Sequence, residues 1–398
     1  MDVREQLERA VDGRQDALVA LSRAVHADAE VGFEEHASSA RVAAALAAGG
    51  FTVDHGVYDL DTAFVATAGS GPLHIGSCAE YDALPGIGHA CGHNIIAGAA
   101  VGAGLALAEV ADELGVTVTV LGTPAEEGGG GKVLMLERGA FDGLHAAMMV
   151  HPAPIESSTI PCLAVSHLDV RYTGKSAHAS AYPQMGINAA DALTVAQVAI
   201  GVLRQHIRPT DRIHGIVTDG GDAPNIIPER AGGTWYVRAK NLAELDELRP
   251  KVERCFEAGA IATGASLHFA PTGPAYSEFL HDPDLVALYE HAARGIGRDL
   301  PVEGIPAEMA GSTDMANVSL AMPAIHPMLH IDSGGAANHQ PEFTAACINA
   351  SADRAVRDGA LGMARTVVGI TENLDVLTRL QQTPYRSADT RSSSSGNA

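Results

Sequence analysis

Six residues of this 398-residue chain have types and spacings suited to metal chemistry: Cys91, His93, Glu126, Glu127, His151 and His339. Cys91 and His93 stand one residue apart in Gly88-His89-Ala90-Cys91-Gly92-His93-Asn94. A thiolate and an imidazole together suit a zinc-type cation. The flanking glycines let the backbone fold tightly enough for both side chains to converge. Glu126 and Glu127 are adjacent, and neighbouring carboxylates repel in a buried site that lacks cations. His151 precedes Pro152, and His339 lies in Ala337-Asn338-His339-Gln340-Pro341. Singly these are ordinary: a buried thiol, an acidic turn ahead of four glycines, a histidine at a turn. The joint pattern is what points to chemistry.

Cys91, His93, Glu127, His151 and His339 form a donor set that two divalent cations could share, with Cys91 able to bridge as a thiolate and a water between the ions. On a non-helical segment neighbouring side chains point different ways, so one glutamate can bind metal while the other faces substrate. Glu126, the free one in this reading, takes a proton from an activated water and passes it to a leaving nitrogen. Asp82 reads either as the carboxylate that orients a ligand histidine or as a turn residue before Ala83-Leu84-Pro85.

These residues need elements to carry them. Residues 73–78 read as a strand and 95–110 as an apolar helix, so the Cys91 loop lies at the carboxyl end of a strand, where open α/β sheets bind ligands. A β-branched strand over 116–121 ends just before Glu126. A strand over 146–150 ends at His151. Helices are expected over 3–25, 36–48, to 139, 283–296 and 345–368, and a further strand over 62–67. Strands alternating with helices indicate an α/β sandwich with a mainly parallel sheet. From about residue 165 the rhythm changes to β-α-β-β-α-β: strands over 165–172, 212–218, 233–239 and 266–269, helices over 187–205 and 242–259. That is the ferredoxin-like split motif, inserted as a second domain. The expected division is 1–164 with 275–385 for the first domain and 165–274 for the second. Residues 386–398 are serine-rich and expected to be disordered.

Composition narrows the partners. Hydrophobic residues make 46% of the chain and charged residues 19%, as in a soluble globular protein with room for two cores. The net charge of −22 disfavours nucleic acids and anionic membranes; its first reading is solubility, with a slight tilt toward cationic small molecules. No apolar run stays free of glycine, charge and turn signals for long enough to cross a membrane, and the N-terminus reads as an acidic amphipathic helix, not a secretory signal. Residence in the cytoplasm is the expectation. Five scattered cysteines argue against a disulfide framework.

At this point a resemblance enters. The loop around Cys91, the run Pro124-Ala125-Glu126-Glu127-Gly128-Gly129-Gly130-Gly131-Lys132 and Gly311-Ser312-Thr313-Asp314-Met315 resemble the di-metal amidohydrolases of the aminoacylase and carboxypeptidase-G group, peptidase family M20. Within it they are similar to the branch of hippurate, auxin-conjugate and aminobenzoyl-glutamate hydrolases, and more closely to the Xaa-Arg dipeptidases. The resemblance spans about residues 26–368. It implies an aminopeptidase-like di-metal catalytic domain, the same five ligands, and Glu126 as general base and acid. It further implies that the inserted domain pairs subunits into a homodimer and closes over substrate as a lid. His178 then polarises the scissile carbonyl in the partner's site, Asn225 binds substrate, and Arg238 takes the substrate carboxylate. The chain departs from relatives at Asn94, often Asp, and at Glu80-Tyr81, where the aminoacylase branch has a histidine ahead of the Asp. Zinc is the expected metal, with manganese, cobalt or nickel as alternatives.

The expected activity is hydrolysis of an amide bond in a dipeptide of Xaa-basic or β-alanyl type or in an N-acyl amino acid. Aminobenzoyl-glutamate and hippurate-type conjugates are the alternative substrates. A non-catalytic binding homologue would be expected to lack Glu126 or a ligand, and all are present. A chain that needs a different second subunit is the remaining alternative.

Overall fold

In the computed structural model, which describes residues 2–301, 305 and 310–386, α1 (Val3–Asp12) starts on the Asp2 side chain and ends at Gly13, whose N–H bonds to Arg9. α2 (Gln15–Asp28) then begins on a new axis, so the single helix expected over 3–25 is two. α3 (His36–Ala48) follows, then the exposed strand β1 (Thr52–His55), which lacks the apolar alternation that would reveal it in sequence. β2 (Phe64–Gly69), β3 (Leu73–Ala79), α4 (His93–Leu114), β4 (Val116–Gly122), α5 (Gly131–Glu137), β5 (Ala146–Met148) and β6 (His151–Ala153) complete the first stretch. The strand expected over 146–150 is β5, two residues shorter, and His151 opens a further short strand in a different sheet.

The chain then forms β7 (Ala164–Thr173), α6 (Ala189–Leu203), β8 (Arg212–Asp219), β9 (Arg230–Ala239), α7 (Leu242–Thr263) and β10 (Ser266–Pro271). It continues with α8 (Pro283–Gly295), α9 (Met315–Ala321), β11 (Ala324–Ile325), β12 (Met328–His330), α10 (Pro341–Ala346), α11 (Ala350–Glu372) and α12 (Leu374–Gln381). The helix expected over 345–368 is therefore broken, because Asn349 caps α11 with its side chain on the N–H groups of Ser351 and Ala352. Apart from Arg386, the tail expected to be disordered lies outside the described residues.

Two compact units result: one comprises the chain up to Pro161 and from Phe279 on, the other Cys162–Glu278. The first holds a six-stranded sheet in the order β1-β2-β4-β3-β5-β11. β4, β3, β5 and β11 run parallel, while β1 and β2 form an antiparallel edge. β4 is buried at all seven positions, as a strand covered on both faces must be. α4 is the core helix. Gly98 and Gly102 let α11 approach through Val356 and Ala360. By length and composition α4 could span a membrane, with a mean hydropathy of 1.6, although glycines and acidic residues interrupt its apolar run; 89% of that window is buried inside the protein.

The second unit has an antiparallel sheet in the order β10-β7-β9-β8 and its own core, in which Trp235 and Phe256 meet edge to face among Leu168, Val252 and Val237. Its element order is β-α-β-β-α-β. All five cysteines of the chain are free thiols.

Candidate metal centre

Three strand ends and one loop of the first unit bring the chemically suited side chains together. Glu80, Tyr81 and Asp82 follow directly on β3. The loop beyond them delivers Cys91, then His93 as the first residue of α4. Gly92 between the two has φ +75°, and a Cβ there would collide with Pro152. Only glycine serves at that point. After β4, Ala125 adopts φ +57°, a conformation that is strained for a residue with a side chain. It is held there by a buried carboxylate: Glu35 Oε1 accepts the Ala125 N–H at 2.8 Å, and its other oxygen accepts the Thr62 hydroxyl at 2.8 Å. This turn presents Glu126 and Glu127. His151 opens β6, and His339, at φ +67°, donates its N–H to the Ala90 carbonyl at 2.8 Å.

The distances that result fit cation ligation. Cys91 Sγ is 3.4 Å from His151 Nε2 and 3.6 Å from His339 Nε2. His339 Nε2 is 3.6 Å from Glu127 Oε2, and His93 Nε2 is 3.9 Å from Glu127 Oε1. Cys91, His93 and His151 form one donor group and Cys91, Glu127 and His339 another, so the thiol belongs to both. Donors bound at roughly 2.0–2.3 Å around a tetrahedral ion lie about 3.3–3.8 Å apart. The tautomers agree. His93 donates from Nδ1 to Asp82 Oδ1 at 2.9 Å, and His151 from Nδ1 to the Pro152 carbonyl at 2.9 Å. Both rings thereby turn an Nε2 lone pair inward. His93 Nε2 and Glu127 Oε1 are buried without a hydrogen-bond partner among the described residues. Orphaned buried polar atoms of this kind fit a metal that would satisfy them.

The electrostatics point the same way. Burial pushes the Glu126 carboxyl well above the usual range, with Glu80 and Glu127 adding repulsion. Burial likewise raises the Cys91 thiol, with Glu127 next. For His93, burial opposes the charge but the Asp82 and Glu80 carboxylates outweigh it and hold the ring well above its ordinary value. So many acidic groups around one buried point call for positive charge there.

Sequence reasoning missed three buried partners of the site. Lys132 Nζ lies 2.5 Å from Glu80 Oε1 and 2.7 Å from Asp314 Oδ1, all three side chains fully buried. The signal was a lysine placed straight after four glycines, in the first turn of an otherwise apolar helix. Lys132 can occupy that place because Gly131 packs against the Pro124 carbonyl, where a Cβ would collide. Glu126, Glu80 and Asp314 form a further acidic group around this lysine. Asn94 is buried, and its amide donates to Ser22 Oγ at 2.8 Å and the Cys347 carbonyl at 3.0 Å. In this chain it ties α4 to its surroundings.

His178, Asn225 and Arg238 lie in the second unit. The first two are brought together: the Ala179 N–H donates to the Asn225 carbonyl at 2.9 Å, and both side chains are exposed. The Ser180 and Ala181 N–H groups donate to His178 Nδ1 at 3.3 and 3.2 Å, which leaves the ring proton on Nε2. Arg238, on β9, donates from Nε to His214 Nε2 at 3.3 Å, with its guanidinium 5.8 Å above the Tyr236 ring.

Comparison with known proteins adds to this geometry. Residues 77–357 match the model of peptidase family M20/M25/M40. The chain is 37% identical to the Xaa-Arg dipeptidase of Homo sapiens over 94% of its own length and 89% of that protein. It is 33% identical to one of the p-aminobenzoyl-glutamate hydrolase subunits of Escherichia coli, over 59% of this chain and 53% of that one. Its fold is similar to that of a dinuclear metal binding peptidase from Bacillus subtilis, with a TM-score of 0.68 and 20% identity over 91% of this chain and all of the other.

Proposed function

The chain belongs to peptidase family M20/M25/M40 and is an enzyme of the peptidase and amidohydrolase kind, and on that premise we propose that it hydrolyses dipeptides with a basic C-terminal residue or a β-alanyl N-terminal residue. The likeness to the human Xaa-Arg dipeptidase along nearly the whole chain supports the substrate class. The net charge of −22 supports it too, since an acidic field draws in cationic dipeptides. The observation that carries the chemistry is Cys91 Sγ within 3.6 Å of two imidazole nitrogens, in a donor group shared with Glu127.

Cys91, His93, Glu127, His151 and His339 would hold two divalent ions, with Cys91 common to both. Bound there, such ions supply Lewis acidity toward the scissile carbonyl and make a water acidic enough to attack at neutral pH. Glu126, buried next to the donor set, takes the proton of the attacking water and delivers it to the leaving nitrogen. Its burial beside the donor set keeps bulk water from taking that proton between the two transfers. Asp82 keeps His93 aimed.

The second unit serves as lid and dimer contact in this reading. β8 is an edge strand with Ile216 and Val217 exposed, and α6 exposes Val198 and Val202. An unpaired edge beside apolar side chains is what a second copy of the chain would cover. His178, a donor through Nε2, then polarises the carbonyl in the partner's site. Asn225 binds substrate, and Arg238 pairs with its carboxylate.

Aminobenzoyl-glutamate and hippurate-type conjugates are the second reading, favoured by the Escherichia coli relative. A panel decides: β-alanyl-lysine, alanyl-arginine, aminobenzoyl-glutamate, hippurate and N-acetyl-methionine, each with and without chelator. Chelator-sensitive cleavage of the basic dipeptides is expected. Cleavage of the aroyl or acyl conjugates alone would move the substrate class and keep the chemistry.

A further inference from the structure

Glu80 has no part in the mechanism above, although it is the first residue after β3 and fully buried. Its two oxygens face opposite kinds of neighbour. Oε1 is 2.5 Å from the Lys132 ammonium, and Oε2 is 3.4 Å from His93 Nε2. Lys132 is itself clamped twice by Asp314, whose Oδ1 lies 2.7 Å from Nζ and whose Oδ2 accepts the Lys132 N–H at 2.9 Å. Glu80 therefore cannot swing away without leaving a buried ammonium half-paired, which is costly.

No hydrogen fills the space between Glu80 Oε2 and His93 Nε2 when the ring is neutral. The His93 proton is on Nδ1 and goes to Asp82. Neither Oε2 nor Nε2 has a hydrogen-bond partner among the described residues. Two buried acceptors that face each other at this distance repel unless positive charge lies between them, either a metal cation or a second proton on the His93 ring. The separation is also about the edge of a donor tetrahedron around an ion bound at roughly 2.0–2.1 Å. Glu80 is closer to that nitrogen than Glu126, at 3.8 Å, or Glu127, at 3.9 Å.

We propose that Glu80 is a further donor to the ion on His93, with Oε2 on the ion and Oε1 on Lys132. This rests on the metal reading of the site given above. Lys132 occupies one oxygen and so limits Glu80 to one-oxygen ligation. The carboxylate also shifts the donors of that ion from sulfur and nitrogen toward oxygen, which raises the affinity for manganese relative to a set made of Cys and His alone.

The test uses the full chain, stripped with chelator and titrated with manganese or zinc, with bound metal per chain counted by elemental analysis. Wild type is expected to bind both ions. Glu80→Gln is expected to retain the fold, reported by far-ultraviolet circular dichroism of the whole chain and its thermal transition, and to lose at least about tenfold in affinity for one ion. Asp314→Asn removes the same charge from the Lys132 cluster without touching His93, and is expected to keep both affinities. Should Glu80→Gln fail to fold, Glu80→Asp withdraws the oxygen while keeping the charge, and the same loss is expected. Unchanged affinities in the foldable Glu80 variant would overturn the inference, as would an equal loss in Asp314→Asn, because charge alone would then explain it. Wild type that binds no metal would overturn the metal reading itself, and the inference with it.

Discussion

His93 Nδ1 lies 2.9 Å from Oδ1 of Asp82, and the other Asp82 oxygen accepts the Glu127 N–H at 2.9 Å. One buried carboxylate thus aims the first side chain of α4 and pins the backbone of the acidic turn after β4. Two segments far apart in sequence are set in register by a single residue.

Asp82→Ala should therefore weaken metal binding by about 10–100-fold, the usual cost of removing a partner that orients a ligand histidine. Competition against a chromophoric chelator measures it. A variant that binds metal as tightly as wild type would show that His93 needs no such partner.

Glu126→Gln should keep both the fold and the metal content while kcat falls by about 10²–10⁴-fold, the range for loss of a general base and acid. Elemental analysis and turnover on the same sample separate the two quantities. Turnover near the wild-type rate would remove Glu126 from the proton path.

His178→Ala should be inactive alone, as should Glu126→Gln. Mixed and allowed to exchange subunits, the two should recover part of the wild-type activity, because a hybrid dimer holds one site with both functional residues. Native mass spectrometry confirms the exchange. Proven hybrids without recovery would place His178 in its own subunit's chemistry.

His167 gives the pH dependence. It is buried against Tyr236 and Tyr276, with ring centroids 4.2 and 5.0 Å away, and burial, with Arg238 and His214 adding to it, lowers it to about 4. The unfolded chain binds this proton near pH 6.5 and the folded chain only near 4, so the unfolded state holds more protons between those values. Stability is complete above about pH 6.5 and is lost as pH falls toward 4, by an amount on the order of 3 kcal/mol. Trp235, the single tryptophan, lies in the same unit and reports its unfolding. His167→Phe should flatten the dependence of that transition on pH between 7 and 4.5. An unchanged slope would assign the effect to other groups.

Much of this site could be read from the chain because its parts sit at strand ends. The apolar runs before Glu80, Glu126 and His151 mark those ends, and tight glycines mark the turns. The helix His36–Ala48 was readable because Gly49-Gly50 closes it. What escaped reading depended on partners distant in sequence. β1 is exposed and defined only by pairing with β2. The apolar length of α4 looks the same whether lipid or α11 surrounds it. Lys132 and Asp314 are 182 residues apart, and the glycines ahead of Lys132 say nothing of the carboxylate that pairs with it. Glu35, whose carboxyl is raised to about 7 chiefly by burial, looks like a surface residue until Ala125 is seen to need it.

The two ends of the donor set differ in one respect with kinetic consequences. The His93 side chain is wholly enclosed at the start of the core helix, whereas that of His339 is 57% exposed on a loop with left-handed backbone. A ring on a surface loop can rotate away in a local fluctuation, while His93 can leave only with the core. Two ions held here would therefore be unequal in lability. Chelation would run in two phases, the ion on His339 leaving first and returning last, and the population caught between the phases would carry a single cation anchored to α4.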